Sequence, residues 1–393
     1  MPGSSESFES SGGLRRVDLS VGLLWVAAVV VATIQQGFVH QNNNFLIFRA
    51  AALHLLREQD LYAAYPAEHF DFYKYSPTFA LLFLPFALPP FGVAMLLWNA
   101  LNAGALYVAL GMVLPRRAAV VARLIVFLDM LGSLQNVQSN ALVAALIIFA
   151  FAAFERRHTM LGSLATAIGT SIKIFPLAAA SFAIFHPRKV RVAVALATSM
   201  VVLVLLPLLV TPSSVLVAQY RSWHVIESKD ALARGFSVME MAQLLLHRGW
   251  PNWPIQLLGV AALVAPVLVR RERWSEWGFR RLYLCSVLVF CVIFNHQAES
   301  PTFVIASAGA AIWFTSLERP SRWEWFVLGF FFVCTILASS DAMPRAVQRA
   351  FFDPYRFKAV PCIVLWLELQ RRLWARGRAL SPGVSASRPA PQS

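Results

Sequence analysis

Residues 77–113 read PTFALLFLPFALPPFGVAMLLWNALNAGALYVALGMV, an apolar stretch without one charged side chain. A helix crosses the hydrocarbon of a bilayer in roughly 20 apolar residues, so this stretch is long for one span and short for two. Pro89-Pro90 offers a place to break it, and it reads as one net crossing that contains a re-entrant piece or a hairpin. Working outward, apolar runs bounded by charge fall at 17–34, 118–134, 140–154, 159–172, 174–186, 191–211, 254–269, 281–297, 300–317, 325–340 and 357–370. With the start of the chain inside, Arg15-Arg16, Arg116-Arg117, Arg156-Arg157, Arg188-Lys189-Arg191, Arg270-Arg271-Arg273, Arg280-Arg281, Arg319-Arg322 and Arg371-Arg372 all come out cytoplasmic. Two crossings within 77–113 would carry the next two arginine pairs to the other side, which is why one is preferred.

The expected fold class is therefore an all-α polytopic membrane protein of about 12 transmembrane helices. Its expected organisation is a cytoplasmic tail over 1–16, a membrane domain over 17–370 and a disordered cytoplasmic tail over 371–393. Composition agrees, with 58% hydrophobic and 14% charged residues and a mean hydropathy of +0.60. The net charge of +14 sits in short clusters between apolar runs, a pattern that orients membrane proteins and argues against a nucleic-acid partner. Cys285, Cys291, Cys334 and Cys362 lie inside apolar runs and read as small core residues. The first run leaves through Gln35-Gln36-Gly37-Phe38 without a small-x-small pattern, so it reads as a retained span rather than a cleaved signal.

The opposite side collects the loops 38–76, 135–140, 212–253, 295–299 and 341–356, with a break near Lys173. They are rich in Asp, Glu, His, Asn, Gln and aromatics, as an active face requires. Residues 44–57 repeat apolar positions at helical spacing with Arg49, His54 and Arg57 between them, which predicts a helix lying in the membrane surface. Phe236 to His247 reads the same way, and Trp223, Trp250 and Trp253 fit an aromatic belt. Lys173 stands in an apolar stretch three residues before Pro176. A cation there needs an anion, a polar cavity or the interface, and a lipid phosphate is a fitting anion; snorkelling to the headgroups is the alternative. His296 donates to the same phosphate or caps a helix. Lys74 and Arg345 join them as candidate phosphate ligands, and Arg349, Asp353, Tyr355 and Arg356 surround Arg345 in a loop that is otherwise solvated.

Several motifs in order resemble glycosyltransferase family 87, polytopic enzymes of the GT-C superfamily that include polyprenyl-phosphate-mannose-dependent mannosyltransferases. They are Phe45-Leu46-Ile47-Phe48-Arg49-Ala50-Ala51 running to Leu61-Tyr62, Tyr75-Ser76-Pro77-Thr78-Phe79-Ala80, Gln135-Asn136-Val137-Gln138-Ser139-Asn140, Ser171-Ile172-Lys173-Ile174-Phe175-Pro176, and Asn295-His296-Gln297 before Ser300-Pro301. The resemblance implies a GT-C-like bundle and inverting transfer of a hexose or pentose, mannose foremost, from a polyprenyl-phosphate carrier to a lipid or glycan acceptor. It places the reaction outside the cytoplasm, on the outer face of a bacterial inner membrane. The family usually carries an acidic residue, its proposed catalytic base, where this chain has Asn44, and an amide cannot accept the proton that a carboxylate can. Asp71, at the re-entry point, is the first substitute and Glu299 the second, followed by Asp60 and Glu68; Asp71 also reads as a simple partner for Lys74. Asn44, Tyr75, Gln135, Asn140 and Asn295 are the candidate sugar and acceptor contacts.

No HExxH, CxxC, Asp-x-Asp, Walker loop or GxGxxG stands in the chain, so neither a metal nor a cofactor is expected. The expected partners are the lipid-linked donor, the acceptor and membrane lipid. A transporter or flippase is the rival reading, disfavoured because the break at Lys173 has no counterpart in the other half. A non-catalytic relative that binds lipid-linked sugar is the third, favoured by Asn44.

Overall fold

The computed structural model describes residues 5–39, 42–247, 249–339, 343–352 and 357–376, helical throughout and without a strand among them. Helix α1 (Ser5–Ile34) continues as a π-helical turn over Gln35–Val39. The first polar loop folds into α2 (Asn43–Leu56), whose Asn42 cap accepts the Asn44 amide at 2.9 Å. The long apolar stretch breaks into three pieces, α3 (Pro77–Leu82), α4 (Leu84–Ala87) and α5 (Phe91–Val113), and only the third is long enough to cross. Ser76 and Pro77 start α3 as a hydroxyl cap and a first-turn proline, and the Pro89-Pro90 pair separates α4 from α5. Against α3 and α4 packs the apolar side of α2, with Phe45 and Phe48 meeting Phe83 edge-on.

The chain then runs through α6 (Arg116–Gln135), α7 (Asn140–Glu155) and α8 (Thr159–Ile172), an eleven-residue 3-10 rod over Phe175–Phe185, and α9 (Lys189–Leu205). After α10 (Ser213–Asp230) and α11 (Val238–Leu246) it returns through α12 (Asn252–Val269), α13 (Trp277–Ile293) and α14 (Val304–Thr315). Helix α15 (Arg322–Phe331) loosens into a π turn over Phe332–Ile336, and short α16 (Arg345–Val347) precedes α17 (Ala359–Trp374). Residues 5–16 are already helix and α17 extends beyond 370, while the remainder of the expected tails, 1–4 and 377–393, falls outside the described residues.

Among the described residues, five helices are long and apolar enough to cross a membrane: Gly13–Phe38, Phe91–Val113, Arg116–Gln135, Lys189–Leu209 and Asn252–Val269. Their outer faces carry exposed Val190, Leu209 and Leu258, the surface that acyl chains cover without cost. The interior is built on α13 and α14. Along α14 the run Ala306-Ser307-Ala308-Gly309-Ala310-Ala311 is small and wholly buried, and a Cβ on Gly309 would stand 3.0 Å from the Cys285 carbonyl, so the two backbones approach closely. Cys285, Cys291 and Cys362 are buried and Cys334 half-buried, all four unbridged.

The bundle has two chemically distinct ends. At one, arginines tie neighbouring helices. Arg123 and Arg116 meet Asp18 at 2.8 and 2.9 Å, Arg280 grips Glu155 through two bonds of 2.7 and 2.8 Å, and Arg372 reaches Glu324 and Glu368. The other end gathers Gln138, Asn140 and Tyr75 with the carboxylates Glu299 and Asp230. Helix α7 joins the two, with Asn140 at one end and Glu155 about 22 Å along its axis. Arg116, Arg280 and Arg372, from three of the clusters that the sequence assigns to one side, take part in these pairs.

Candidate active site

Helix α8 stops at Ile172 because Lys173 is extended, at φ −142° and ψ 144°, and the 3-10 rod begins two residues later with Pro176 in its first turn. The break delivers Lys173 Nζ to the start of α7, where it donates to Asn140 Oδ1 at 2.7 Å. Asn140 in turn approaches Gln138 Oε1 at 3.5 Å, and Gln138 Nε2 donates to Glu299 Oε2 at 3.2 Å. The Tyr75 hydroxyl stands 3.5 Å from the same Gln138 Oε1. Burial and the charge of Glu299 raise the Tyr75 phenol well above its ordinary pKa, so it stays a neutral donor. Lys173 and Glu299 sense each other electrostatically yet have no direct ion pair among the described residues, since two amides stand between them.

Glu299 is held by its own turn. It caps Ser300–Phe303 in a reciprocal box with Thr302, and Lys358 Nζ grips the next residue through the carbonyl and hydroxyl of Ser300, both at 3.0 Å. Lys358 is itself buried beside Asp129, at 3.7 Å, and Asp129 accepts from Ser307. From the other side Phe236 N donates to Ala298 O at 2.9 Å, and Gly235, at φ +46°, permits that approach because a Cβ there would overlap the Ala298 carbonyl.

A second acidic group sits alongside. Lys74 bonds Asp230 at 3.0 Å rather than Asp71; burial pulls its ammonium down, but Asp230, Asp71 and Glu299 together hold its pKa above the usual lysine value. Glu227, one turn before Asp230 on α10, is half-buried. Burial raises its carboxyl, with the charge of Asp230 next, while Trp223, Gln297 and Lys74 pull the other way. His296 packs on Phe175 and lies 3.2 Å from Gln256 Nε2, and burial lowers its pKa. Asn295 turns its side chain to the Gln297 amide at 2.8 Å.

Of the residues expected from sequence, Tyr75, Asn140, Lys173 and Glu299 converge, with Lys74, Asn295 and His296 around them. Asp71 is exposed within electrostatic range of Lys74 and Tyr75, and one of its oxygens is taken by the Phe72 amide at 2.7 Å. Asn44 and Gln135 serve elsewhere: Asn44 Nδ2 donates to Asn136 O at 2.8 Å, and Gln135 Nε2 donates to Gln35 Oε1 at 3.1 Å, bracing α2 and α1 against the end of α6. Asp60 accepts the Tyr62 amide at 3.0 Å and Glu68 pairs with buried His54 at 3.2 Å. Arg345 is exposed on α16, apart from the cluster. Asp353, Tyr355 and Arg356, and the side chain of Arg349, lie outside the described residues.

Gln138, Glu227 and Lys358 are contributions that sequence reasoning did not single out. Gln138 stood within a quoted motif, and Glu227 follows Trp223 in a loop already marked as polar. Nothing in the sequence paired Lys358 with Asp129.

The family profile described as Glycosyltransferase family 87 matches residues 72–294, more than half of the chain. The chain belongs to glycosyltransferase family 87. The matched stretch holds Lys74, Tyr75, Gln138, Asn140, Lys173 and Glu227; it begins after Asn44 and ends before Glu299. No match is found among curated proteins. Family 87 membership and the apolar helices make this a multi-pass membrane glycosyltransferase.

Proposed function

We propose that this family 87 chain moves a sugar, mannose foremost, from a polyprenyl-phosphate carrier to a hydroxyl of a lipid or glycan, with inversion, at the polar end of the bundle. In this reading the arginine end faces the cytoplasm of a bacterium, the polar end faces outward, twelve segments cross the inner membrane, and α2 lies along its outer surface. The observation that carries it is the unpaired approach of Lys173 and Glu299. Both are anchored on the Gln138 and Asn140 amides, so a fixed cation and a fixed carboxylate are bridged by two amides with no direct bond between them.

Lys173 binds the donor phosphate, helped by Lys74 and His296, with Arg345 a further candidate at the carrier. Tyr75, Asn140 and Asn295 contact sugar or acceptor. The acceptor oxygen attacks the anomeric carbon from the face opposite the phosphate, Glu299 takes its proton, and the bond from the anomeric carbon to the phosphate oxygen breaks. The electron pair stays on the phosphate, where Lys173 stabilises the added charge without a metal.

Glu299 takes precedence over Asp71 as the base because it is joined to the cluster by Gln138, while Asp71 is exposed. Sugar transfer by Glu299→Gln and Asp71→Asn separates them. Loss of a proton acceptor slows transfer by about 10²–10⁴-fold, so that fall is expected for Glu299→Gln and a near-normal rate for Asp71→Asn. The opposite pattern assigns the base to Asp71.

A further inference from the structure

At the arginine end, far from the candidate active site, two cavities of about 360 Å³ each share Arg157, His186 and Pro187 in their walls. One is walled by phenylalanines and Trp274, with the Glu155–Arg280 pair in its lining. The other opens between the first turns of α8 and α9 and adds His158, Arg188 and Arg191, with no acidic residue in its wall. Arg157, Arg188 and Arg191 are exposed, and none has a carboxylate partner among the described residues.

Two helix N-termini thus point unsatisfied amides and the positive ends of their dipoles at a mouth already lined by three guanidinium groups. An independent feature marks the same place. His186 is buried, and its Nδ1 accepts the Arg188 amide at 3.1 Å, which puts the proton of the neutral ring on Nε2. That buried Nε2 has no hydrogen-bond partner among the described residues, although His186 lines both cavities. A buried donor left unmatched is costly, so an acceptor entering from the cavity satisfies it. Flanking the mouth, Met160 and Leu161 at the start of α8 and Val190 and Val194 along α9 are exposed and apolar.

We propose that this mouth is a phosphate-binding site, distinct from the donor site at the other end of the bundle. Its phosphate is brought either by an anionic phospholipid, whose acyl chains lie on the apolar faces of α8 and α9, or by a soluble phosphate. Arg188, Arg191 and Arg157 supply the charge, the α8 and α9 amides supply the cradle, and His186 Nε2 donates from within.

The test uses the full chain in a neutral detergent. It is titrated with phosphatidylglycerol, with phosphatidylcholine and with inorganic phosphate, reading bound lipid by native mass spectrometry and the melting temperature. The comparison is Arg188→Gln/Arg191→Gln, whose exposed side chains leave the unliganded melting temperature unchanged. The expected result is tighter binding and a higher melting temperature with phosphatidylglycerol than with phosphatidylcholine, and binding weakened at least about tenfold in the variant, since charge-assisted bonds are lost. An equal rise with inorganic phosphate, also lost in the variant, upholds the site and assigns it to a soluble phosphate. No preference for phosphatidylglycerol together with no response to phosphate overturns the proposal, as does a response the variant retains in full.

Discussion

Replacing Lys173 by methionine keeps the length and apolar stem of the side chain and removes its charge. Among the described residues Nζ has one bond, to Asn140 Oδ1 at 2.7 Å, and no carboxylate partner, so its charge is free to act on an incoming phosphate. A unit charge at about 4 Å from a developing negative charge, at an effective dielectric of about 20, is worth on the order of 4 kcal/mol. Removing one preorganised donor to a developing anion has a similar effect, about 2.7–4 kcal/mol or 10²–10³ in kcat. Lys173→Met is therefore expected to lower kcat for sugar transfer by roughly 10²–10³-fold. Lys173→Arg keeps the charge but not the compact approach to Asn140, so it is expected to fall between the two. The assay is release of product from a radiolabelled polyprenyl-phosphate sugar by protein in lipid nanodiscs, with the melting temperature as the check on folding. A kcat for Lys173→Met within threefold of the parent refutes the assignment of Lys173 to the leaving phosphate.

Three further outcomes follow from the geometry. Lys358→Met strands Asp129 in a buried site and is expected to destabilise by about 3–5 kcal/mol, much of it recovered in Asp129→Leu/Lys358→Met; equal losses in single and double variants by melting in detergent contradict the pairing. Glu227 has a folded pKa raised above its unfolded value, so its contribution is most favourable below the ordinary carboxylate range and declines as pH rises through the raised pKa. Glu227→Gln is accordingly expected to melt above the parent at pH 7, with the advantage shrinking toward pH 4; an advantage that grows on acidification contradicts the sign. Asn44→Asp removes the donor to the Asn136 carbonyl, so it is expected to lower stability by about 1 kcal/mol without raising transfer, and a gain of transfer would restore the family's usual acidic position as the base.

Much of the site was readable where the signal is local. Lys173 before Ile174-Phe175-Pro176 announced a broken helix, and the 135–140 amides announced a polar turn beside apolar runs. The missing parts depend on contacts that no local pattern records. Lys358 reads as the edge of a solvated loop, but α17 begins there with its ammonium buried between Ser300 and Asp129. Asn44 reads as a lost base, whereas its amide is a brace to a carbonyl on a distant turn. The 174–186 run, counted from sequence as a crossing, winds over Phe175–Phe185 as a 3-10 rod that rises about 2.0 Å per residue, so eleven residues reach about 22 Å where an α-helix reaches about 16 Å. Glu227 and Asp230 enter the site only because α10 packs back along the Lys74 strand of chain.

The most direct test of the central claim is sugar transfer by the purified full chain in lipid nanodiscs with excess EDTA, offered polyprenyl-phosphate mannose, glucose and arabinose with membrane lipid acceptors. Transfer from one donor, mannose foremost, with the anomeric configuration inverted, is the predicted result. Donor binding without transfer from any of the three contradicts the catalytic account, and movement of intact lipid-linked sugar across the bilayer in its place makes the protein a carrier of that lipid.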